Sequence, residues 1–121
     1  MPPDAPKGAV AGRGCLVVGD TALARRVCWS ATLEGHAAHR LTAPKDADLR
    51  RTLAARPDAV AIVTAGDVSA LQYALALRHL DASVPLVVSI SDRTIARHLQ
   101  DLLDHCTVFS PADLIAPSLV S

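Results

Sequence analysis

The run Gly19-Asp20-Thr21-Ala22-Leu23-Ala24 is where this chain comes nearest to a ligand-binding motif. It follows four apolar residues, Cys15 to Val18, and leads into a helix-like segment. A strand that turns at a glycine into a helix points backbone amides, and the positive end of the helix dipole, at a phosphate. The dinucleotide-binding fingerprint places glycines first, third and sixth in such a window. Here Gly19 holds the first place, Thr21 the third and Ala24 the sixth. Alanine at the sixth place is a mild change, because that residue serves helix–strand packing. Threonine at the third is more serious, since its side chain stands where backbone approaches the pyrophosphate. Asp20 adds a negative charge beside that position, and its simplest role is a helix cap worth about 1 kcal/mol.

Two other turns belong to the same chemistry. Thr64-Ala65-Gly66-Asp67 closes a strongly apolar run (Asp58 to Val63), and Thr42 closes a weaker one (Ala37 to Leu41). Open α/β sheets hold ligands outside the carboxyl ends of their strands. The candidate ligand-contacting set is therefore Gly19, Asp20, Thr21, Ala22, Thr42, Thr64, Ala65, Gly66 and Asp67. For Gly66-Asp67 a plain turn with a helix cap explains the residues equally well. No catalytic residue is expected: no histidine, lysine or tyrosine sits at a strand end beside an orienting carboxylate. His36 and His39 read as solvent-facing positions flanking the second strand, and His79, His98 and His105 as helix-surface or helix-end positions.

The elements that position these turns follow from periodicity. Strands are expected at 14–18, 37–41, 58–64, 84–90 and 106–109. Helices are expected at 21–33, from Asp46 or Asp48 to Ala54, at 68–80, and from Ser91-Asp92 to His105. Ala24, Val27, Cys28 and Ala31 make the inner face of the first helix, with Gly35 ending it. Trp29 is expected to pack partly buried, with a subunit contact as the alternative. The 68–80 helix looks apolar on nearly every side, which suggests that its outer face meets another subunit. Ile95, Leu99 and Leu102 form a one-sided stripe on the next helix. Residues 1–13, rich in Pro, Gly and Ala, read as a flexible leader, and a short helix or tail is expected from Ala112. Strands alternating with helices predict a three-layer, Rossmann-like, doubly wound α/β domain over 14–121, with about five parallel strands.

Composition narrows the class. Hydrophobic residues make up 50% of the chain but aromatics only 2%, so Ala, Val, Leu and Ile must fill the core, as in a covered parallel sheet. The 12 basic residues balance the 12 acidic ones, which argues against a nucleic-acid partner. Cys15, Cys28 and Cys106 are widely spaced and read as small buried hydrophobes in a reducing compartment. The histidines do not cluster with them, so no metal is expected. No apolar run approaches the ~20 residues of a membrane span, and the start of the chain does not read as a signal peptide.

From Asp58 to about Pro117 the sequence resembles the N-terminal nucleotide-binding domain of regulator-of-potassium-conductance proteins. That family includes the peripheral NAD-binding subunits of bacterial potassium uptake systems. The resemblance lies in Asp-Ala-Val-Ala-Ile-Val-Thr-Ala-Gly-Asp-Val-Ser-Ala-Leu (58–71), Val-Pro-Leu-Val-Val-Ser-Ile-Ser-Asp-Arg (84–93) and His-Cys-Thr-Val-Phe-Ser-Pro-Ala-Asp-Leu-Ile-Ala-Pro (105–117). The first strand–helix unit and Glu34-Gly35-His36 also fit. Departures accompany the match. Thr42 stands where the family commonly has an acidic residue for the adenosine ribose, and Ser89 where it often has a basic one. The segment between Thr42 and Asp58 has room for one helix only, so the sheet is one strand short of the family norm.

The resemblance implies a cytoplasmic regulatory domain, ligand-sensing or assembling, of a potassium channel or transporter, at the inner face of the membrane. It implies NAD or another adenine nucleotide as ligand at a degenerate site, a homodimer, and a membrane subunit or membrane segments as partner. The alternative is a degenerate receiver of the phosphoaspartate type, whose sheet order would be 2-1-3-4-5. Receiver chemistry needs an acidic pair after strand one, an aspartate after strand three and a lysine after strand five. This chain offers Asp20 alone, Thr64, and Ser110-Pro111. A dehydrogenase is disfavoured because a domain of this size lacks a substrate half.

Overall fold

Short apolar runs rich in Val and Ile become strands, and the capped segments between them become helices. The computed structural model describes residues 14–110, so the expected leader and the expected helix or tail from Ala112 lie outside the described residues. In order, the elements are β1 (Gly14–Val18), α1 (Ala22–Leu33), β2 (Ala37–Leu41), α2 (Asp46–Ala54), β3 (Ala59–Ile62), α3 (Asp67–Leu80), β4 (Leu86–Ser89), α4 (Arg93–Leu102) and β5 (Cys106–Phe109). The strands form one five-stranded sheet in the order β2-β1-β3-β4-β5. Every neighbouring pair is parallel.

Alternate residues of each strand face opposite layers, and the packing follows that period of two. Leu16 and Val18 of β1 join Val60 and Ile62 of β3 and Leu86 and Val88 of β4 on one face, under α2, α3 and α4. Leu49 and Leu53 of α2, Ala70, Ala74 and Leu77 of α3, and Leu99 of α4 supply the facing side chains. Val17, Ala61 and Val63 point the other way and pack with Ala24 of α1. Helices therefore cover both faces, and the fold is the doubly wound, three-layer α/β architecture expected. Each fully buried Leu, Ile or Val stabilises this arrangement by about 1.5–3 kcal/mol relative to exposure.

Helix ends are set by side chains and by special backbone positions. Thr21 is the N-cap of α1: its hydroxyl accepts from the Ala24 amide at 3.0 Å. Gly35, with φ of 90°, adopts the left-handed conformation that lets the chain leave α1 and enter β2. The Asp92 carboxylate caps α4, accepting from the amides of Thr94 at 2.8 Å and Ile95 at 3.1 Å.

Several expectations need correction. Trp29 is 66% exposed rather than partly buried, because it lies opposite the Ala24 face of α1. Leu102 is 70% exposed, and Leu103, turned inward by the extended backbone after α4, packs in its place. The outer side of α3 is a mixed stripe of Val68, Ser69, Gln72, Leu75 and His79, not an apolar surface. The three cysteines are half-buried rather than enclosed. Burial pushes the Cys15 thiol up, with smaller electrostatic contributions from Cys28 and Asp58. Burial also raises Cys106, against an opposing pull from Arg78.

Candidate functional site

The sheet order reverses direction between β1 and β3, and the crevice at such a switch point is where an open α/β sheet takes a ligand. The turns after β1, β2 and β3 meet there. The Gly19 amide donates to the Leu41 carbonyl at 2.9 Å, which sets Thr42 beside the first turn. The Val63 amide donates to the Val18 carbonyl at 2.8 Å, which sets Thr64 on the other side. Gly19, Asp20, Thr21, Ala22, Thr42 and Thr64 are thus brought together.

Gly19 is required there by close approach and by backbone conformation. Its φ is +144°, and a Cβ at this position would run into the Val63 carbonyl oxygen and lie 2.8 Å from its carbon. The glycine therefore serves the packing of the β1 turn against β3 as much as any ligand. The Thr21 hydroxyl fills the next position. Besides capping α1 it donates to the Val63 carbonyl at 3.2 Å, a bond that ties the β1 turn to the end of β3. The side chain that replaces the fingerprint's second glycine thus has two partners within the fold.

Asp20 does not cap the helix. Its Oδ1 accepts from the Arg40 guanidinium at 3.2 Å and lies 3.7 Å from Arg25. Arg40 also donates to the Gly19 carbonyl at 3.3 Å. Asp20 is 62% exposed, so these pairs are worth at most about 1 kcal/mol each. They matter more for the local field, since a carboxylate and its counter-ion occupy the mouth of the turn. Arg40 was not among the sequence candidates. The signal for it is its register: it sits beside Val17, one residue before the end of β2, across from the acidic residue just past the end of β1.

The second turn divides. Thr64 donates through its hydroxyl to the Gly66 carbonyl at 3.0 Å, while Ala65 and Gly66 are exposed. Asp67 turns away toward the next strand. Its two carboxylate oxygens accept from the Ser91 and Asp92 amides, both at 2.9 Å. Consecutive amides that open a helix form the kind of nest that holds an anion, and here the anion is the protein's own carboxylate. Those two amides carry no side-chain signature and were legible only in the fold.

A cavity of about 320 Å³ lies at the carboxyl ends of β4 and β5, lined by Ser91, Arg93 and Phe109 among others. A larger one, about 450 Å³, opens at the amino ends of β1 and β2 beside α2, away from the turns that carry the candidate residues. Among the described residues no group of three or more His, Cys, Asp or Glu is placed to hold a metal ion. No helix among them is long and apolar enough to cross a membrane. No protein-family model matches the chain, and none of the curated proteins does.

Proposed function

We propose that this domain is a cytoplasmic regulatory module of a potassium channel or transporter, acting through assembly with its partners more than through nucleotide binding. One observation carries the reading: the protein's own groups occupy the carboxyl-end turns. Thr21 bridges α1 to Val63, Arg40 engages Asp20, and Asp67 fills the Ser91–Asp92 amides. The architecture of a nucleotide domain is kept while the places for pyrophosphate and ribose are taken or lost. Such a module works by population shift: association that favours one arrangement of paired domains biases a gate elsewhere.

Calorimetric titration with NAD, NADH, ATP, ADP and AMP, alongside light scattering, tests the reading. A stable dimer that is silent to all five supports an assembly module. Saturable micromolar binding of any one refutes it in favour of a nucleotide sensor. Potassium flux in cells with and without the protein tests the transport half, and unchanged flux counts against it.

A degenerate receiver is the second reading, favoured by the sheet order β2-β1-β3-β4-β5. A six-stranded domain of order 3-2-1-4-5-6 that loses its third strand renumbers to that same order, so topology fits both. Thr64 at the acceptor position separates them. Incubation with acetyl phosphate and Mg²⁺ is expected to leave the mass unchanged, and a stable aspartyl adduct would reverse the ranking.

A further inference from the structure

The outward side of α1 carries features that neither the core nor the carboxyl-end turns use. Ala24, the one fully buried residue of α1, marks its inner face. A helix turns by about 100° per residue, which puts Arg26, Trp29 and Leu33 on the opposite side. All three are exposed, Trp29 at 66% and Leu33 at 69%. Trp29 is the only tryptophan of the chain, and in this position it forgoes the burial that makes so large a side chain stabilising. Tryptophan and arginine are enriched among the few residues that carry the binding energy of an interface.

Charge identifies what this face is suited to meet. Arg25 and Arg26 are the only charged residues of α1, and its first turn holds no acidic residue. Cations near the amino end of a helix run against its dipole, so the arrangement adds nothing to the stability of the isolated fold. Arg25 is partly compensated, donating to the Asp20 carbonyl at 3.4 Å and lying 3.7 Å from the Asp20 carboxylate. Arg26 has no hydrogen-bond or ion-pair partner among the described residues. Trp29 follows Arg26 by three residues and Arg25 by four, the spacings at which helical side chains are neighbours. An indole flanked by two guanidinium groups therefore faces solvent.

We propose that the outer face of α1 docks a protein partner that sets carboxylates around an apolar side chain. The carboxylates meet Arg25 and Arg26 and offset their mismatch with the helix dipole, while the apolar side chain covers Trp29 and Leu33. Other occupants fit this face less well. A second copy would bring arginine against arginine, with no acidic residue of α1 to answer it. Anionic membranes recruit clusters of about four to eight basic residues, and α1 offers only Arg25 and Arg26. Nucleic acid calls for a basic excess, and the chain has a formal net charge of zero. This site names the partner chemistry for the assembly reading and rests on it, yet the two fail separately. Nucleotide binding refutes that reading whatever α1 does, whereas an inert α1 refutes this site alone.

Trp29 emission reports on this face without a label. The probe is a synthetic amphipathic helix of leucine and glutamate, with a control peptide in which every glutamate is glutamine. Titrated into the full chain, the glutamate peptide is expected to shift the emission to the blue saturably. It should bind about tenfold more tightly than the glutamine peptide, as two exposed ion pairs allow. Arg26→Glu should weaken that binding by about tenfold or more while the melting temperature stays equal or rises, since glutamate suits the amino half of a helix. An arginine with only a structural role would lower the melting temperature instead. Trp29→Ala, followed by the anisotropy of a labelled peptide, should lose binding with unchanged circular dichroism. The absence of a saturable shift, or equal affinity for the two peptides, overturns the proposal. So does an emission shift produced by phosphatidylglycerol vesicles but not by the peptide, which gives the face to a membrane. A shift produced by raising the protein concentration alone gives it to a second copy and overturns the proposal as well.

Discussion

Replacing Thr21 with valine isolates the hydroxyl that joins the first turn to the rest of the sheet. The two side chains have nearly the same volume, so packing is preserved while both hydrogen bonds are lost. One is the N-cap bond from the Ala24 amide, 3.0 Å, whose removal costs about 1 kcal/mol. The other runs to the Val63 carbonyl, 3.2 Å across the β1–β3 switch point, and contributes about 1 kcal/mol more. The expected loss is about 2 kcal/mol, which for a domain of this size lowers the melting temperature by about 8–15 °C. Serine keeps the oxygen and should stay within about 0.5 kcal/mol of the wild type. Glycine restores the fingerprint's backbone but loses the bridge to Val63 and should fall between them, since glycine is a tolerable N-cap. Urea unfolding followed by far-ultraviolet circular dichroism measures all three. If valine matches serine, the hydroxyl is not holding the turn, and the account of why the fingerprint's second glycine is absent fails.

Gly19→Ala places a methyl group against the Val63 carbonyl at a φ of +144°, and should cost more than about 2 kcal/mol in the same unfolding experiment. Asp67→Ala removes two charge-assisted bonds from the Ser91 and Asp92 amides. At this half-buried position the loss should be about 1–2 kcal/mol, with faster hydrogen exchange at those two amides as the local signature. The Asp81 carboxyl is held below the usual carboxylate range, chiefly by the Ser83 amide, with the Ser83 hydroxyl, the Val84 amide and Arg78 adding to the effect. A lowered folded-state value means that the charged form stabilises the fold above the ordinary aspartate range, and that this contribution fades as the pH falls through the lowered value. The advantage of the wild type over Asp81→Asn should therefore be present at neutral pH and shrink below about pH 4.

Much of the fold was legible because its signals are local. Ala59 to Val63 is a continuous apolar run, as a strand covered on both faces must be, and it contains β3 (Ala59–Ile62). Gly35 and Asp92 stand where helix ends require them, and both act there. What the sequence hid depends on direction rather than on type. Trp29 is large and apolar, which favours burial, but its place on α1 is set by the Ala24 face that meets the sheet. Leu102 continues a helical stripe on paper, yet the helix ends beneath it and Leu103 takes the inward position. In the candidate site the participating turns were legible from strand ends alone. The partners of their polar groups were not, because Arg40 on Asp20, Thr21 on Val63 and Asp67 on Ser91 are separated by 20, 42 and 24 residues. No local pattern encodes such contacts.

Those long-range bonds give the altered fingerprint a physical reason. A glycine at position 21 would leave the Val63 carbonyl without the Thr21 hydroxyl and the Ala24 amide without its cap, both satisfied now. A bound pyrophosphate would supply acceptors to the helix amides, but it has no proton to give the Val63 carbonyl. Threonine does both at once and needs no ligand. Asp67 serves the turn after β4 in the same way, seating a tethered carboxylate on two adjacent amides. The hydrogen bonds at these turns are made by the protein's own groups, as the proposed assembly module requires.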